Sequence, residues 1–193
     1  MARPDIKDER REQILNAFEA CVARSGIEGA TLAGIAEAAG VARPLIRHNV
    51  GNREDLVAAL VERFMERSRR ALDDLIAALP HENRLTTIIE QLFDPQFSDA
   101  QLVQVSNALI AASADDPALA NKMRAWLRAF VSRIERVIAA EYPGAPSAHV
   151  AAVAAGITGV YFNVEALYPL GNIKALAAAS KEAALLLAAS LEK

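Results

Sequence analysis

"TLAGIAEAAGVARPLIRHNVGNREDL" (Thr31–Leu56) decides the fold. Leu32, Ile35, Ala36 and Ala39 recur at i, i+3, i+4 and i+7, the spacing of one helical face. Thr31 stands just before them with a hydroxyl suited to an N-cap. Gly40 ends the helix after barely two turns, and Val41 reads as an apolar turn residue. A second short helix is predicted from about Arg43 to Asn49, with Gly51 closing it. Pro44 is tolerated there because the first turn has no internal N–H bond to lose. Two short helices joined by a glycine-containing turn, with polar side chains outward on the second, describe a helix-turn-helix.

Charge singles out the same stretch. The chain of 193 residues carries a formal charge of -3, yet residues 38–53 hold three arginines and no acid. Residues 1–53 contain eight Lys/Arg against seven Asp/Glu, so the remainder is strongly acidic. An acidic total argues against a general nucleic-acid coat, which is basic throughout. With Val41, Ile46 and Val50 inward against Ile35, the residues left facing out are Arg43, Pro44, Arg47 and His48. A single helix fits the DNA major groove, and arginine pairs with guanine O6 and N7 or holds a phosphate. Arg53, at the start of the next helix, is placed to meet a backbone phosphate, assisted by the helix dipole. Taken without the motif around them, Arg43 and Arg47 read as a solvated helix face.

Outward from this stretch the pattern stays helical. Ile14, Ala17, Phe18, Cys21 and Val22 mark a first helix, roughly residues 8–25, stopped by Gly26. Leu56, Leu60 and Phe64, continued by Leu72, Leu75, Ile76 and Leu79, mark a long fourth helix ending at Pro80. Further helices are predicted at 84–93, 98–113, 117–141, 147–168 and 172–191. Abundant alanine, few aromatics and no period-two runs complete an all-α reading with about nine helices. The lone cysteine, Cys21, excludes an internal disulfide, sits on the apolar stripe of the first helix and fits a cytoplasmic protein. The N-terminus MARPDIKDERRE has no apolar signal core. The apolar stretch around Val150–Phe162 is shorter than the ~20 residues a bilayer span needs, so no membrane role is expected.

"REQILNAFEACVARSGIEGATLAGIAEAAGVARPLIRHNVGNREDLVAAL" (Arg11–Leu60) resembles the N-terminal DNA-binding domain of tetracycline-repressor (TetR) family regulators. The matching pieces are Ile14-Leu15…Ala17-Phe18, Gly26, Thr31, Ile35-Ala36, Ala39-Gly40-Val41 and Arg53-Glu54-Asp55-Leu56. "FDPQFSDAQL" with "DDPALANKMRAWL" also resembles the ligand domains of choline-responsive betaine-pathway repressors. The recognition helix departs from the family pattern. Ala42 replaces a serine cap, Arg47 a tyrosine, Asn49 an aromatic or histidine, and Val50 a phenylalanine. An unusual operator reader and a helical interaction module with decayed DNA binding both fit these departures.

The resemblance implies a helix-turn-helix domain over 1–53 and a helical effector-binding and dimerisation domain over 54–193. It implies a transcriptional regulator, commonly a repressor, that a small-molecule effector releases from a palindromic DNA operator. The expected DNA contacts are Thr31, Ala42, Arg43, Pro44, Arg47, His48 and Arg53. A pocket among helices four to eight has Phe93, Phe97, Asn107, Met123, Trp126, Phe130, Tyr161 and Glu165 as candidate walls; Trp126 and Phe130 also read as plain core, and Asn107 and Glu165 as surface or helix–helix bonding. The last two helices, rich in Ala151, Ala155, Gly156, Gly159, Ala177, Ala178, Ala184 and Ala188, are those that pair across a homodimer in the family. An ordinary pair within one chain is the other reading. No catalytic, metal or cofactor site is expected. The three histidines form no Glu-x-x-His or His-Glu-x-x-His set, and no Cys-x-x-Cys or phosphate loop is present.

Overall fold

The computed structural model describes residues 6–192; Met1–Asp5, which begin the charged N-terminus, and Lys193 lie outside the described residues. Among the described residues there are nine α-helices and no strand. They are α1 (Ile6–Gly29), α2 (Leu32–Ala38), α3 (Arg43–Asn49), α4 (Arg53–Ala77), α5 (Arg84–Leu92), α6 (Ala100–Ala112), α7 (Pro117–Glu141), α8 (Ser147–Ala166) and α9 (Lys174–Ala189). Short 3₁₀ turns follow α8 at Tyr168–Leu170 and α9 at Ser190–Glu192. The predicted helices are all present, with ends shifted by a few residues. The first helix runs past its expected stop, although Gly26 breaks its backbone at φ +72°.

The helices gather into two compact units, which divide within α4. The first unit takes residues up to Ser68 together with Gln101–Ala120. Its core is Ile14, Leu15, Phe18, Ile35, Ile46, Leu56 and Leu60, all essentially removed from water. A clamp of ion pairs and hydrogen bonds runs between α1 and α4. Glu19, 5% exposed, lies between Arg67 Nη1 at 2.6 Å and Arg63 Nε at 3.6 Å. Arg63 also donates to Glu12 and, at 2.5 Å, to Asn16 Oδ1. A carboxylate buried this far needs such partners, because desolvation strongly disfavours a lone charge.

The second unit, Arg69–Ala100 with Asn121 onward, is built on one apolar cluster. The end of α4 gives Leu72 and Leu75, α5 gives Leu85, Ile88, Ile89 and Leu92, and α7 gives Ile134, Val137 and Ile138. On α8, Val150, Val153, Ala154, Ile157 and Tyr161 complete it, with Ala184 and Ala188 of α9. Small residues set the α8–α9 spacing. A Cβ on Gly156 would stand 2.8 Å from Leu187 Cδ1. The alanines and glycines expected at a dimer face therefore divide. Gly156, Ala184 and Ala188 serve packing within the chain, whereas Ala151, Ala155, Gly159 and Ala178 stay exposed.

The apolar stretch around Val150–Phe162 is longer as a helix than it reads as a sequence. Ser147–Leu170 is a run of 24 residues, long and apolar enough to cross a membrane by length and composition. Its apolarity has another use here. Val150, Val153, Ala154, Ile157, Tyr161 and Val164 form a buried face, as on a core helix packed along one side.

Candidate nucleic-acid interface and effector region

The turn between α2 and α3 is built from backbone hydrogen bonds. Gly34 N donates to Thr31 Oγ1 at 3.1 Å, so the predicted cap is formed. At the other end Gly40 adopts φ +62°, Val41 N reaches Ala36 O at 3.0 Å and Gly40 N reaches Glu37 O at 3.1 Å. This paired closure needs a left-handed residue after the helix, which glycine supplies without a Cβ penalty. Gln13 of α1 donates to the free Ala39 carbonyl at 2.7 Å and fixes the turn to the first helix.

Ala42 begins α3 without a side-chain cap, and Pro44 occupies its first turn. Ile46 is buried at 1% exposure, Leu45 and Asn49 are half-buried, and Asn49 Nδ2 donates to Leu45 O at 2.7 Å. Arg43, Pro44, Arg47 and His48 are exposed. α3 therefore presents a cationic face that its own fold leaves unused.

Arg53 is the exception among the expected DNA contacts. Its guanidinium turns inward, donating to Ala30 O at 2.8 Å and also to Ile27 O. These carbonyls lie at the end of α1, where the helix runs out of its own donors, and Arg53 supplies donors there. The start of α4 is capped separately by Asn52 and Asp55. Asn52 N donates to Asp55 Oδ2 and Asp55 N to Asn52 Oδ1, each at 2.9 Å. Arg53→Ala is accordingly expected to destabilise the first unit by about 1–3 kcal/mol in urea unfolding. DNA affinity should fall with it while its salt dependence stays that of the native chain. A phosphate contact would instead shorten the salt slope by about one.

Most of the expected pocket walls come together in the second unit, as packed rings. Trp126 stacks on Phe162 with centroids 5.2 Å apart and planes 4° apart. Phe130 lies 4.8 Å from Phe162 and 6.0 Å from Tyr161, and Phe93 meets Tyr161 edge-on at 5.9 Å. Phe97 packs against the same core, and Met123 is buried on α7. Asn107 stands half-buried on α6 in the first unit. A groove of about 460 Å³ lies elsewhere in the second unit, lined by Glu135, Arg136, Tyr142, Ser147 and Val150, none of them an expected wall.

Glu165 is the polar member of the aromatic region. Ser98 Oγ donates to its Oε2 at 2.9 Å. Burial pushes the carboxyl above the usual carboxylate range, and the hydroxyl only partly opposes this. Burial, and next the charge of Glu165, also push Tyr161 well above the ordinary phenol value. Two turns before Glu165, Thr158 Oγ1 is buried with no hydrogen-bond partner among the described residues. Because folding raises the affinity of Glu165 for its proton, its contribution is fully present below the unfolded carboxylate pKa. It is lost as pH rises through the folded value. Glu165→Gln is expected to raise the melting temperature at pH 7 and to flatten the fall in stability just above pH 4–5, measured by thermal unfolding across pH.

Residues 14–60 match the family profile described as bacterial regulatory proteins, tetR family. The chain is 27% identical over 171 residues to the HTH-type transcriptional regulator BetI of Paraburkholderia phymatum, covering 83% of this chain and 84% of that protein. The fold matches the TetR-family regulator of Cytophaga hutchinsonii with a TM-score of 0.80 at 16% identity, over 98% of both chains. It also matches FadR of Bacillus subtilis, solved with stearoyl-CoA, with a TM-score of 0.66 at 21% identity, over 92% of this chain and 97% of that one.

Residues 14–60 are a TetR-family DNA-binding segment. This segment coincides with the capped turn and the cationic face of α3, so family and geometry single out the same residues. Several residues that shape the two units had no legible signal in the sequence. Gln13, Ser98 and Thr158 are ordinary polar residues on or beside helices, and only their surroundings give them a role. Glu19 had one faint signal, an acid on the helix whose apolar stripe includes Phe18 and Cys21.

Proposed function

We propose that this DNA-binding transcriptional regulator works as a cytoplasmic homodimeric repressor that leaves a palindromic operator when a small molecule binds. Residues 1–53 carry the DNA reader, and 54–193 carry effector binding and pairing. The observation that carries the reading is the outward face of α3: Arg43, Arg47 and His48 are exposed in a chain of net charge -3. On DNA, Arg43, Pro44, Arg47 and His48 enter the major groove, while Thr31 and Ala42 frame the turn. Arg53 acts by holding the turn after α1.

Pairing is assigned to the exposed sides of α8 and α9. Ala151, Ala155 and Gly159 allow close approach, and Leu176 and Leu186 are large apolar residues left in water at 42% and 65% exposure. A twofold axis there would present two copies of α3 to successive turns, about 34–36 Å apart. The aromatic region around Trp126, Phe130 and Tyr161, with Glu165, is the proposed effector region. An effector acts only through unequal affinity for two arrangements of the dimer, typically ~1–3 kcal/mol of coupling. No catalytic step enters this reading.

The test is selection of genomic fragments by the purified chain, followed by fluorescence anisotropy on the selected duplex from low to high salt. A twofold-symmetric site whose affinity falls steeply with salt supports the reading. Absence of any salt-sensitive duplex binding would assign the chain to the interaction-module alternative.

A further inference from the structure

The outward face of α3 is not uniform. At about 100° per residue, Leu45, Asn49 and Ile46 occupy one arc, centred on Asn49, and all three are buried or half-buried. The direction opposite that arc falls between Arg47 and Pro44, each roughly 30° from it. Arg43 and His48 lie at the two edges, each roughly 70° away. All four side chains are exposed, and none of them has a side-chain hydrogen bond or ion pair among the described residues.

We infer that Arg47 and Pro44 read bases, whereas Arg43 and His48 hold the two phosphate walls, so that each operator half-site pairs a guanine with a nearby thymine. This rests on the reading of the chain as a DNA-binding regulator. A helix seated in the major groove points the middle of its outer arc at the groove floor and its edges at the sugar-phosphate walls. Arg47 carries a planar fork of donors, which matches the O6 and N7 acceptors of guanine. Pro44 has no side-chain donor or acceptor, so the feature of a base pair it recognises is the thymine methyl. The two residues are three apart, a rise of about 4.5 Å along the helix. That lies between one and two base-pair steps of about 3.4 Å, which places guanine and thymine within two base pairs of one another.

The experiment uses the full chain and its selected duplex. Half-sites should share a guanine with a thymine no more than two base pairs away. Replacing that guanine by 7-deazaguanine, which removes N7, should weaken the native chain and leave Arg47→Ala unaffected. Arg47→Ala should lose about 5- to 150-fold on the selected site and little on random duplex. Replacing the thymine by deoxyuridine should weaken the native chain several-fold but not Pro44→Ser. Arg43→Ala should weaken selected and random duplexes alike and shorten the salt slope by about one. Far-ultraviolet circular dichroism of each variant separates these effects from misfolding. Half-sites lacking a common guanine, or a 7-deazaguanine penalty that persists in Arg47→Ala, would overturn the assignment while leaving the regulator reading intact. No binding to any duplex would overturn both.

Discussion

A chain carrying Ala155→Glu together with Leu186→Glu is expected to sediment as a monomer and to bind its operator about 10²- to 10⁴-fold more weakly than the native chain. Both positions are exposed in the isolated chain, Leu186 at 65%, so the substitutions put charge where water already reaches and cost the fold little. In a twofold interface each surface meets its own copy, so one substitution places charge on both sides. Burying such charges unpaired costs several kcal/mol per ion, on the order of the whole association energy. The loss of DNA affinity follows from connectivity alone. A tethered second reader binds at an effective concentration near the millimolar range, and a monomer has no second reader. Analytical ultracentrifugation and anisotropy on the same samples check both halves. A variant that still sediments as a dimer would place the interface elsewhere.

The second large effect is on stability and is confined to the first unit. Phe18 is fully buried and is the largest side chain in that core. Phe18→Ala should cost about 3–5 kcal/mol, the sum of lost transfer energy and the cavity left behind. A small unit built around Ile14, Leu15, Ile35, Ile46, Leu56 and Leu60 has few neighbours that can close over such a void. Hydrogen exchange should show α1 to α3 opening first while α8 and α9 keep native protection. DNA binding should vanish and sedimentation stay that of the native chain. Equal loss of protection in α8 and α9 would mean that the two units unfold as one.

Helices, turn and outward face were legible because each follows from neighbours in sequence. Apolar residues at i, i+3, i+4 and i+7 define a face, Thr31 caps and Gly40 terminates. These determinants act within one or two turns, so residue order alone specifies them. The exposure of Arg43, Pro44, Arg47 and His48 followed from the same periodicity.

What the tertiary structure alone decided concerns groups distant in sequence. Arg53 reads as a phosphate ligand beside a helix N-terminus, yet carbonyls 23 and 26 residues earlier claim its guanidinium. The small residues of α8 and α9 share one composition, but packing assigns Gly156 to the contact with Leu187 and leaves Ala155 and Gly159 exposed. Burial raises the proton affinity of Glu165, and the hydroxyl of Ser98, 67 residues away, partly opposes it. Hydrogen-bond satisfaction and burial are properties of a place in space, which the chain acquires only when segments far apart in sequence have packed.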